Sequence, residues 1–301
     1  MKILLLGKNG QVGWELQRSL APLGHLIALD RQGCQELSGD LADLDAIAAT
    51  VRALKPDIIV NAAAYTAVDK AESDAVLAAR INSEAPGILA HQAAAIGAWL
   101  IHYSTDYVFD GSGESPWPED APTNPLSVYG RTKRNGEVAI TGSYVRAVVL
   151  RTSWVYAARG QNFAKTILRL AKERDALNVV ADQVGAPTGA ELIADVTAHI
   201  IRQIFSSEDA SQLAGIYHLA AAGETSWHGY AQFVLQHACR QGCSLKVSPE
   251  QVGAIRTEDY PVPAARPRNS RLNLAKLEKA FNLKMPPWQQ GVQRMLDEIQ
   301  L

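Results

Sequence analysis

The first half of the chain alternates short apolar runs with longer amphipathic segments. The apolar runs predict strands with the sequences KILLL, HLIAL, DIIVNAAA, WLIHYST and YVRAVVLRT. Helices are predicted between them over residues 11–22, 42–54, 73–97 and 129–141. Strands that are apolar along nearly their whole length are typical of a parallel sheet covered on both faces. The pattern therefore predicts an α/β fold with a Rossmann-type doubly wound parallel sheet.

The alternation weakens after residue 156. The second half predicts a helix over about 162–174, the loop ADQVGAPTGAE, another helix, the strand GIYHLA, a helix near 226–241, the Pro/Arg-rich segment YPVPAARPRNSRLN and two short terminal helices. We predict a dinucleotide-binding domain of residues 1–156 that is completed by parts of 190–222. Residues 157–189 and 223–301 are predicted to form a smaller C-terminal substrate-binding lobe, which closes over the carboxyl edge of the sheet.

Composition and charge argue against several classes of protein. The chain has 29 Lys and Arg against 31 Asp and Glu, and this near balance does not suit a surface that binds nucleic acid. Its 3 cysteines are too few, and odd in number, for a disulfide framework. The first apolar run stops at Gly7, so neither a signal peptide nor a membrane span is predicted. We expect a cytoplasmic protein with no nucleic-acid or membrane partner, in which His102, His199 and His228 are structural.

The segment GKNGQVG places three glycines between the first predicted strand and the first predicted helix. Gly7 would allow a tight turn, Gly10 would let backbone amides approach a pyrophosphate, and Gly13 would let the helix pack closely on the strand. A P-loop is not predicted, because no Lys-Ser/Thr pair follows the last glycine. The sequence leaves two interpretations open at this point, a dinucleotide cradle or a flexible turn.

Two acidic positions further along bear on the cofactor. Asp30 ends the second predicted strand, where a carboxylate binds the adenosine ribose of NADH in many dinucleotide-binding folds. Arg31 beside it could hold the 2′-phosphate of NADPH, so both cofactors remain open. The segment GDL, with Asp40 and Leu41, would lie beneath the adenine, and Asp40 could equally cap the next helix.

The segment YGRTK places Tyr129 and Lys133 one helical turn apart, so both side chains face the same way. The predicted strand that ends in HYSTD would bring Thr105 to the same edge of the sheet. A phenol with an ordinary pKa near ~10 needs help to exchange protons at neutral pH, and we expect the Lys133 ammonium to lower the pKa of Tyr129. The three residues predict a reductase: Thr105 would hold the substrate oxygen and Tyr129 would protonate it after hydride transfer.

Eight segments together carry a resemblance to a known family, and they read GKNGQVG, NAAAYTAVDKAE, STDYVFDG, YGRTK, RTSWVYA, NFAKT, DQVGAPTGAE and RPRNSRL. The chain resembles the dTDP-4-dehydrorhamnose reductases, which are extended short-chain dehydrogenase/reductases, from residue 2 to the final helix. The resemblance implies NAD(P)H-dependent reduction of the 4-keto group of dTDP-4-dehydro-L-rhamnose. This reaction is the last step in making dTDP-L-rhamnose for bacterial surface polysaccharides.

The resemblance also implies roles for individual residues. The implied cofactor contacts are Gly10, Gln11, Val12, Asp30, Asp40, Leu41, Ala64, Tyr65, Thr66 and Tyr103, together with Lys133. The implied substrate contacts are Thr105, Asp106, Tyr129, Lys133 and Trp154. The Trp154 ring could pack against the deoxysugar, or it could simply belong to the core. Arg266, Arg268 and Arg271 offer cations for the diphosphate, although solvated surface charge is the alternative.

Two other functions share parts of this pattern. A nucleotide-sugar dehydratase or epimerase would have the same fold, cofactor loop and Tyr/Lys pair. Related dehydratases carry Asp-Glu after the catalytic threonine, whereas Tyr107 follows Asp106 here, and a phenol is a poor acid for water elimination. A non-catalytic, cofactor-binding regulatory subunit is the third interpretation, and the presence of Thr105, Tyr129 and Lys133 argues against it.

Assembly is suggested by the resemblance alone. Some family members are homodimers whose interface carboxylates bind Mg²⁺, and the matching acids in this chain are Glu15, Glu191 and Glu298. Three carboxylates that converge would repel one another unless a hard divalent cation neutralised them. We therefore predict a homodimer with a structural Mg²⁺ site, and unrelated surface charge is the alternative.

Overall fold

A six-stranded parallel sheet forms the centre of the structure, a computed structural model that describes residues 1–144 and 146–299. Six further short strands lie outside this sheet. In chain order the strands are β1 (Lys2–Leu6), β2 (His25–Leu29), β3 (Ile58–Asn61), β4 (Trp99–Thr105), β5 (Ala147–Thr152), β6 (Val155–Tyr156), β7 (Asn178–Val180), β8 (Val184–Gly185), β9 (Thr188–Gly189), β10 (Gly215–His218), β11 (Thr225–Ser226) and β12 (Gly253–Ile255).

The strand order in the main sheet is β10-β5-β4-β3-β1-β2, and all neighbouring strands are parallel. The order changes direction between β1 and β3, which is the place where open α/β sheets bind ligands outside the carboxyl ends of their strands. The predicted doubly wound parallel sheet is confirmed. Val145, within the predicted strand YVRAVVLRT, and residues 300–301, within the predicted lobe, lie outside the described residues.

Helices cover both faces of the sheet. They are α1 (Gln11–Leu20), α2 (Leu44–Leu54), α3 (Val68–Ala71), α4 (Ala75–Ala79), α5 (Ala85–Ile96), α6 (Val128–Thr141), α7 (Phe163–Glu173), α8 (Ala190–Ser206), α9 (Trp227–Arg240), α10 (Ala275–Phe281) and α11 (Trp288–Glu298). Helices α1 and α8 pack on one face through residues such as Leu16 and Ile200. Helices α2, α5 and α6 pack on the other through Val51, Leu89 and Ile140. The strands between them are apolar on both sides because both faces are buried.

The helix predicted over residues 73–97 is interrupted. Helices α4 and α5 are joined by one turn of π-helix over Arg80–Glu84. Asn82 in this turn is buried and bonds the backbone of Tyr65 at both its N–H and its C=O. Pro86 follows in the first turn of α5, where its missing N–H does no harm. A side chain that bonds backbone outside its own helix is a recurring cause of such bulges, and hydropathy alone does not reveal it.

A second apolar core lies apart from the sheet. It unites α7, α9 and α11, with Leu168, Val234 and Val292 among its buried residues. Helix α10 packs instead in the core of the main sheet, through Leu277 and Phe281. The functional division into a dinucleotide-binding domain and a substrate-binding lobe stays a prediction. No helix in the described part of the chain combines the length and hydropathy needed to cross a membrane.

The glycine loop between β1 and α1 is a tightly packed turn. Gly7 has a φ of +86°, and a Cβ there would lie 2.7 Å from the backbone nitrogen of Ala63. A Cβ on Gly13 would lie 2.0 Å from the carbonyl oxygen of Gly7, whereas one on Gly10 would meet nothing closer than 3.5 Å. Gly7 and Gly13 therefore shape the turn itself, and Gly10 leaves open space in front of it.

We expect Gly13→Ala to lower the free energy of unfolding by about 1–3 kcal/mol, because a backbone overlap must be relieved by moving the turn. Gly10→Ala is the matched control and should change stability little, since its φ of −70° suits any residue. Urea unfolding followed by circular dichroism, without added dinucleotide, measures both. Equal losses in the two variants would contradict this account of the turn.

Candidate active site

The end of strand β4 presents one hydroxyl group and one carboxyl group, those of Thr105 and Asp106, at the carboxyl edge of the sheet. Thr105 closes the strand and begins a 3₁₀ turn over Asp106–Val108. Its Oγ1 accepts a hydrogen bond from the Tyr107 N–H at 3.2 Å and donates to Asp106 Oδ1 at 3.0 Å. Both Thr105 and Asp106 are buried, so the turn holds their side chains in a defined orientation.

Helix α6 carries Tyr129 and Lys133 to this turn. Ser127 caps the helix by accepting the Gly130 N–H at 3.1 Å, so the helix begins at Val128, one residue before Tyr129. Lys133 is 2% exposed, and its Nζ donates to the carbonyl oxygen of Tyr103 at 2.6 Å. Burial lowers the pKa of Lys133 to about 8, while the charge of Glu137 opposes this shift. Lys133 is therefore a buried ammonium that can lose its proton in mildly alkaline solution.

Tyr129 lies near enough to Thr105 for that hydroxyl to lower the pKa of the phenol, so the structure brings together the three residues predicted for catalysis. Burial raises the pKa of Tyr129 to about 12, a hydrogen bond with Thr105 lowers it, and the charge of Asp106 raises it further. The prediction that Lys133 lowers this pKa is wrong here, because burial dominates and the ammonium is directed at Tyr103. Tyr129 is thus a protonated phenol, able to donate.

Asp106 is a buried carboxyl group at this edge, and burial strongly affects its pKa. Burial raises its pKa to about 6, although hydrogen bonds with Ser270 and Thr105 favour the charged form. Its Oδ2 has no hydrogen-bond partner within residues 1–144 and 146–299.

Tyr107 packs edge-on against Tyr129, with ring centroids 5.6 Å apart. Burial raises the pKa of Tyr107, which makes this phenol a still poorer acid for dehydration.

A buried ion pair holds α6 against β5. Glu137 accepts two hydrogen bonds from Arg151, at 2.9 Å and 2.7 Å, and both side chains are less than 5% exposed. Arg151 also donates to the carbonyl oxygen of Glu119 at 3.2 Å. Such a two-point pair fixes orientation as well as distance. Because Glu137 is one turn beyond Lys133, the pair sets the rotation of the helix that presents Lys133 and Tyr129.

The turn between β1 and α1 has the features that a dinucleotide requires. The first N–H groups of α1 follow Gly10, which has no side chain to cap them, so they can bind an anionic group. Asp30 at the end of β2 accepts a hydrogen bond from Asn9 Nδ2 at 2.7 Å and lies 3.6 Å from Lys8 Nζ. Burial opposes ionisation of Asp30, but Lys8 and three hydrogen bonds keep its pKa lowered. The turn, the helix end and the carboxylate fit a nicotinamide dinucleotide.

Of the remaining residues predicted to contact the cofactor, most lie at the carboxyl edge of the sheet and one is buried in the core. Tyr65, Ala64 and Thr66 follow β3, and Gln11 and Val12 open α1, so all lie at the carboxyl edge. Leu41 is buried in the core beneath α2. Asp40 accepts the Ala42 N–H, while Asp43 caps α2, so the alternative helix-cap role of Asp40 is wrong.

Tyr103 points away from the edge. Its side chain is buried in the main core, and its hydroxyl is 2.7 Å from Thr197 Oγ1 on α8. What Tyr103 presents to the site is its carbonyl oxygen, which accepts from Lys133. A cofactor contact through this residue therefore involves its backbone.

Trp154 lies in a left-handed backbone conformation, with a φ of +47°. Its ring stacks on Trp227, with centroids 3.6 Å apart and planes at 13°. Gly185 packs against the ring, since a Cβ there would lie 2.9 Å from it. Trp227 is in turn held by a hydrogen bond to Gln183 at 3.2 Å. Trp227 covers one face of Trp154, so a sugar ring cannot stack on that face.

The three arginines predicted for the diphosphate are engaged with carboxylates. Arg266 Nη2 lies 2.7 Å from Asp69 Oδ2, Arg268 pairs with Glu258 and Asp182, and Arg271 Nε lies 2.7 Å from Glu224 Oε2. The structure therefore presents paired guanidinium groups here, and a phosphate would have to compete with these carboxylates for them.

The predicted metal set does not form a metal site in the single chain. Glu15 and Glu298 are near enough to Glu191 for their charges to raise its pKa, after burial. No group of three metal-binding side chains suited to a cation occurs among the described residues. Arg18 lies 3.5 Å from Glu15, and Arg294 lies 3.5 Å from Glu191. Guanidinium groups thus already neutralise part of the charge of Glu15 and Glu191 within one chain, and a Mg²⁺ site at a homodimer interface stays a prediction.

Several residues of the site were missed from the sequence. His102 contacts Lys133 and is itself contacted by Asn61, Ser270 lowers the pKa of Asp106, and Trp227 covers Trp154. The sequence contains a signal for Asn61 and His102, because each is a polar residue within an apolar strand that ends at the ligand-binding edge. Ser270 and Trp227 had none, since their contacts join segments far apart in the chain.

Sequence comparison identifies the family. The family model described as the RmlD substrate binding domain matches residues 1–301. The dTDP-4-dehydrorhamnose reductase of Salmonella typhimurium strain LT2 is 54% identical over 299 residues, which cover 99% of this chain and 98% of that protein.

Solved structures agree with this result. The dTDP-4-dehydrorhamnose reductase of Clostridium acetobutylicum is 34% identical, covers 100% of both chains and superposes with a TM-score of 0.89. That of Bacillus anthracis, solved in complex with NADP, is 32% identical, covers 99% of this chain and 100% of its own, and gives a TM-score of 0.86. The resemblance of the sequence motifs is thus confirmed, and the chain belongs to the dTDP-4-dehydrorhamnose reductase family.

Proposed function

We propose that the protein reduces the 4-keto group of dTDP-4-dehydro-β-L-rhamnose to the alcohol of dTDP-β-L-rhamnose, with NADPH or NADH as reductant. This is the reaction of its family and the last step of dTDP-L-rhamnose biosynthesis. One observation supports it most: Tyr129 is a protonated phenol beside Thr105, with a buried lysine one helical turn away. This combination supplies a proton at a place where a carbonyl oxygen gains negative charge.

The chain's own residues account for the proton steps. The nicotinamide supplies the hydride when it is bound. Thr105 Oγ1 is placed to hold the substrate oxygen, and Tyr129 Oη donates its proton to that oxygen as the C–O double bond becomes single. The ammonium of Lys133, one helical turn from Tyr129, offers a donor to the nicotinamide ribose. We assign Asp106 and Trp154 to contacts with the sugar.

The binding assignments follow the positions of the remaining groups. Gly7, Gly10, Gln11, Val12 and Gly13 would cradle the pyrophosphate, and Asp30 would bind the adenosine ribose. We assign a 2′-phosphate to Arg31, which follows Asp30, and to Lys8, whose Nζ lies 3.6 Å from the Asp30 carboxylate. We assign Asp40, Leu41, Ala64, Tyr65 and Thr66 to the walls of the same cleft, and Arg266 and Arg268 to the substrate diphosphate after exchange of their carboxylate partners.

The competing functions are less well supported. A dehydratase needs an acid beside the leaving hydroxyl, and position 107 holds a tyrosine whose pKa burial raises. A regulatory subunit would not require the Thr105, Tyr129 and Lys133 arrangement. The homodimer and the cytoplasmic location stay predictions, and light scattering of the purified protein measures the first.

We expect Tyr129→Phe to lose turnover by about 10²–10⁴-fold while keeping its melting temperature and its affinity for the dinucleotide, because only the proton donor is removed. The assay follows NAD(P)H absorbance with the 4-keto sugar nucleotide. Tyr144→Phe is the matched control, since that hydroxyl bonds the Ala98 carbonyl and lies away from the site. A Tyr129→Phe enzyme with wild-type turnover would remove Tyr129 from the chemistry.

Reduction should slow as the pH rises through about 8, where Lys133 loses its proton. Burial lowers the pKa of Lys133, so the charged form is complete only below this value, and Tyr129 remains protonated well above it. The measurement is kcat/KM for the sugar nucleotide between about pH 6 and about pH 10, at saturating dinucleotide. A profile that stays flat to the alkaline limit would show that the charge of Lys133 is not needed.

Arg31→Ala should weaken the use of NADPH about tenfold and leave NADH unaffected, because one exposed charge-assisted contact to the 2′-phosphate is lost. The ratio of kcat/KM for the two dinucleotides in one preparation is the measurement, and NADH serves as the internal control. Equal losses with both would assign phosphate recognition to another cation, and Lys8→Ala would then be the next variant.

A further inference from the structure

Lys133 lies at one end of a buried chain of hydrogen bonds that crosses from β3 to α6. Asn61, the last residue of β3, is 1% exposed, and its Nδ2 lies 3.1 Å from His102 Nδ1. His102 Nε2 lies 3.3 Å from Lys133 Nζ. His102 is also 1% exposed, so neither contact is shared with solvent.

The backbone N–H of Ala63 determines which groups donate and which accept along this series of hydrogen bonds. The Ala63 N–H, which can only donate, bonds Asn61 Oδ1 at 3.2 Å. The Asn61 oxygen therefore faces Ala63, and its NH₂ group faces His102. His102 Nδ1 must then accept, so the single proton of a neutral imidazole is on Nε2 and points at Lys133. Burial, and then the charge of Lys133, keep the pKa of His102 well below its usual value, so the ring is neutral.

An Nε2–H of His102 that faces Lys133 favours the neutral amine form of that lysine over the ammonium. An ammonium has no lone pair to accept this proton, whereas a neutral amine accepts it and completes the chain. Two other titratable residues act on Lys133: Tyr103 on β4 accepts from it through its carbonyl oxygen, and the charge of Glu137 on α6 favours the ammonium. Glu137 is itself paired with Arg151 on β5, and Asp106 and Tyr129 lie at the same edge of the sheet.

We propose that His102, oriented by Asn61, is a positioning residue that directs its Nε2 proton at Lys133 Nζ and thereby favours release of a proton from that lysine. This inference rests on the proposed reductase function. When Tyr129 has given its proton to the substrate oxygen, the site must replace it. A lysine that releases a proton readily can do so: an N–H bond of the ammonium breaks, the phenol O–H forms again, and the resulting amine accepts from His102.

The first test reads the tautomer of His102 without any assay. In protein with ¹⁵N-labelled imidazole rings, two-bond proton–nitrogen spectra distinguish a protonated Nε2 from a protonated Nδ1. His102→Gln identifies the His102 signals by their disappearance. We expect Nε2–H with an unprotonated Nδ1, in the wild type near neutral pH. An Nδ1–H tautomer, or a doubly protonated ring, would overturn the proposal.

The second test measures the pH at which kcat/KM declines in variants of His102 and Asn61. In His102→Gln, an amide oxygen can accept from the ammonium, so the decline should shift upward by about one pH unit, which is a tenfold change in the proton equilibrium. Asn61→Asp should shift it the same way, because a carboxylate would accept from both Ala63 and His102 Nδ1 and reverse the chain. His102→Gln introduces no charge, so it separates the tautomer effect from the attraction between Asp and the ammonium.

His218→Gln is the matched control. His218 is a fully buried histidine on β10 of the same sheet, and its ring nitrogens have no partner within the described chain. The decline should remain in place in this variant. An unshifted decline in His102→Gln would overturn the proposal. A wild type without reductase activity would instead refute the proposed function, and the tautomer measurement would still decide the inference if a variant failed to fold.

Discussion

Burial of the Lys133 ammonium beneath the carboxyl edge of the sheet is the constraint on which the site depends. A buried charge is costly unless it is hydrogen-bonded, and the carbonyl oxygen of Tyr103 accepts from it at 2.6 Å. That carbonyl belongs to β4, which also supplies Thr105, whereas Lys133 and Tyr129 share α6. Docking the lysine on its acceptor therefore places the phenol beside the threonine.

The docking of α6 is itself secured by polar contacts inside the protein. Glu137 and Arg151 form a two-point ion pair between α6 and β5. Arg151 also reaches the carbonyl of Glu119, whose carboxylate accepts the His218 N–H on β10. Removing one member of such a buried set leaves the others unpaired, which is why these pairs act together. The helix, two strands and the loop before the helix are thus held in one arrangement.

The substrate side of the site is built by a segment far along the chain. Ser270 bonds Asp106, Arg266 pairs with Asp69, and the Asn269 N–H donates to the Gly111 carbonyl at 3.0 Å. Gly111 has a φ of +74°, and a Cβ there would lie 2.5 Å from Pro267, so the two segments touch through backbone. This contact brings the Pro/Arg-rich segment against the turn after β4, where the sugar would lie.

The sequence by itself determined the six strands of the main sheet, most helices, the glycine turn and the Tyr129/Lys133 pair, because hydropathy period and helical spacing are local properties of the chain. Tertiary structure alone decided the break at Arg80–Glu84, the carboxylate partners of Arg266 and Arg268, and the arginines beside the predicted metal ligands. It also decided that His102 meets Lys133, 31 positions away. Such contacts depend on which side chains two packed elements bring together, and on desolvation that no local pattern records.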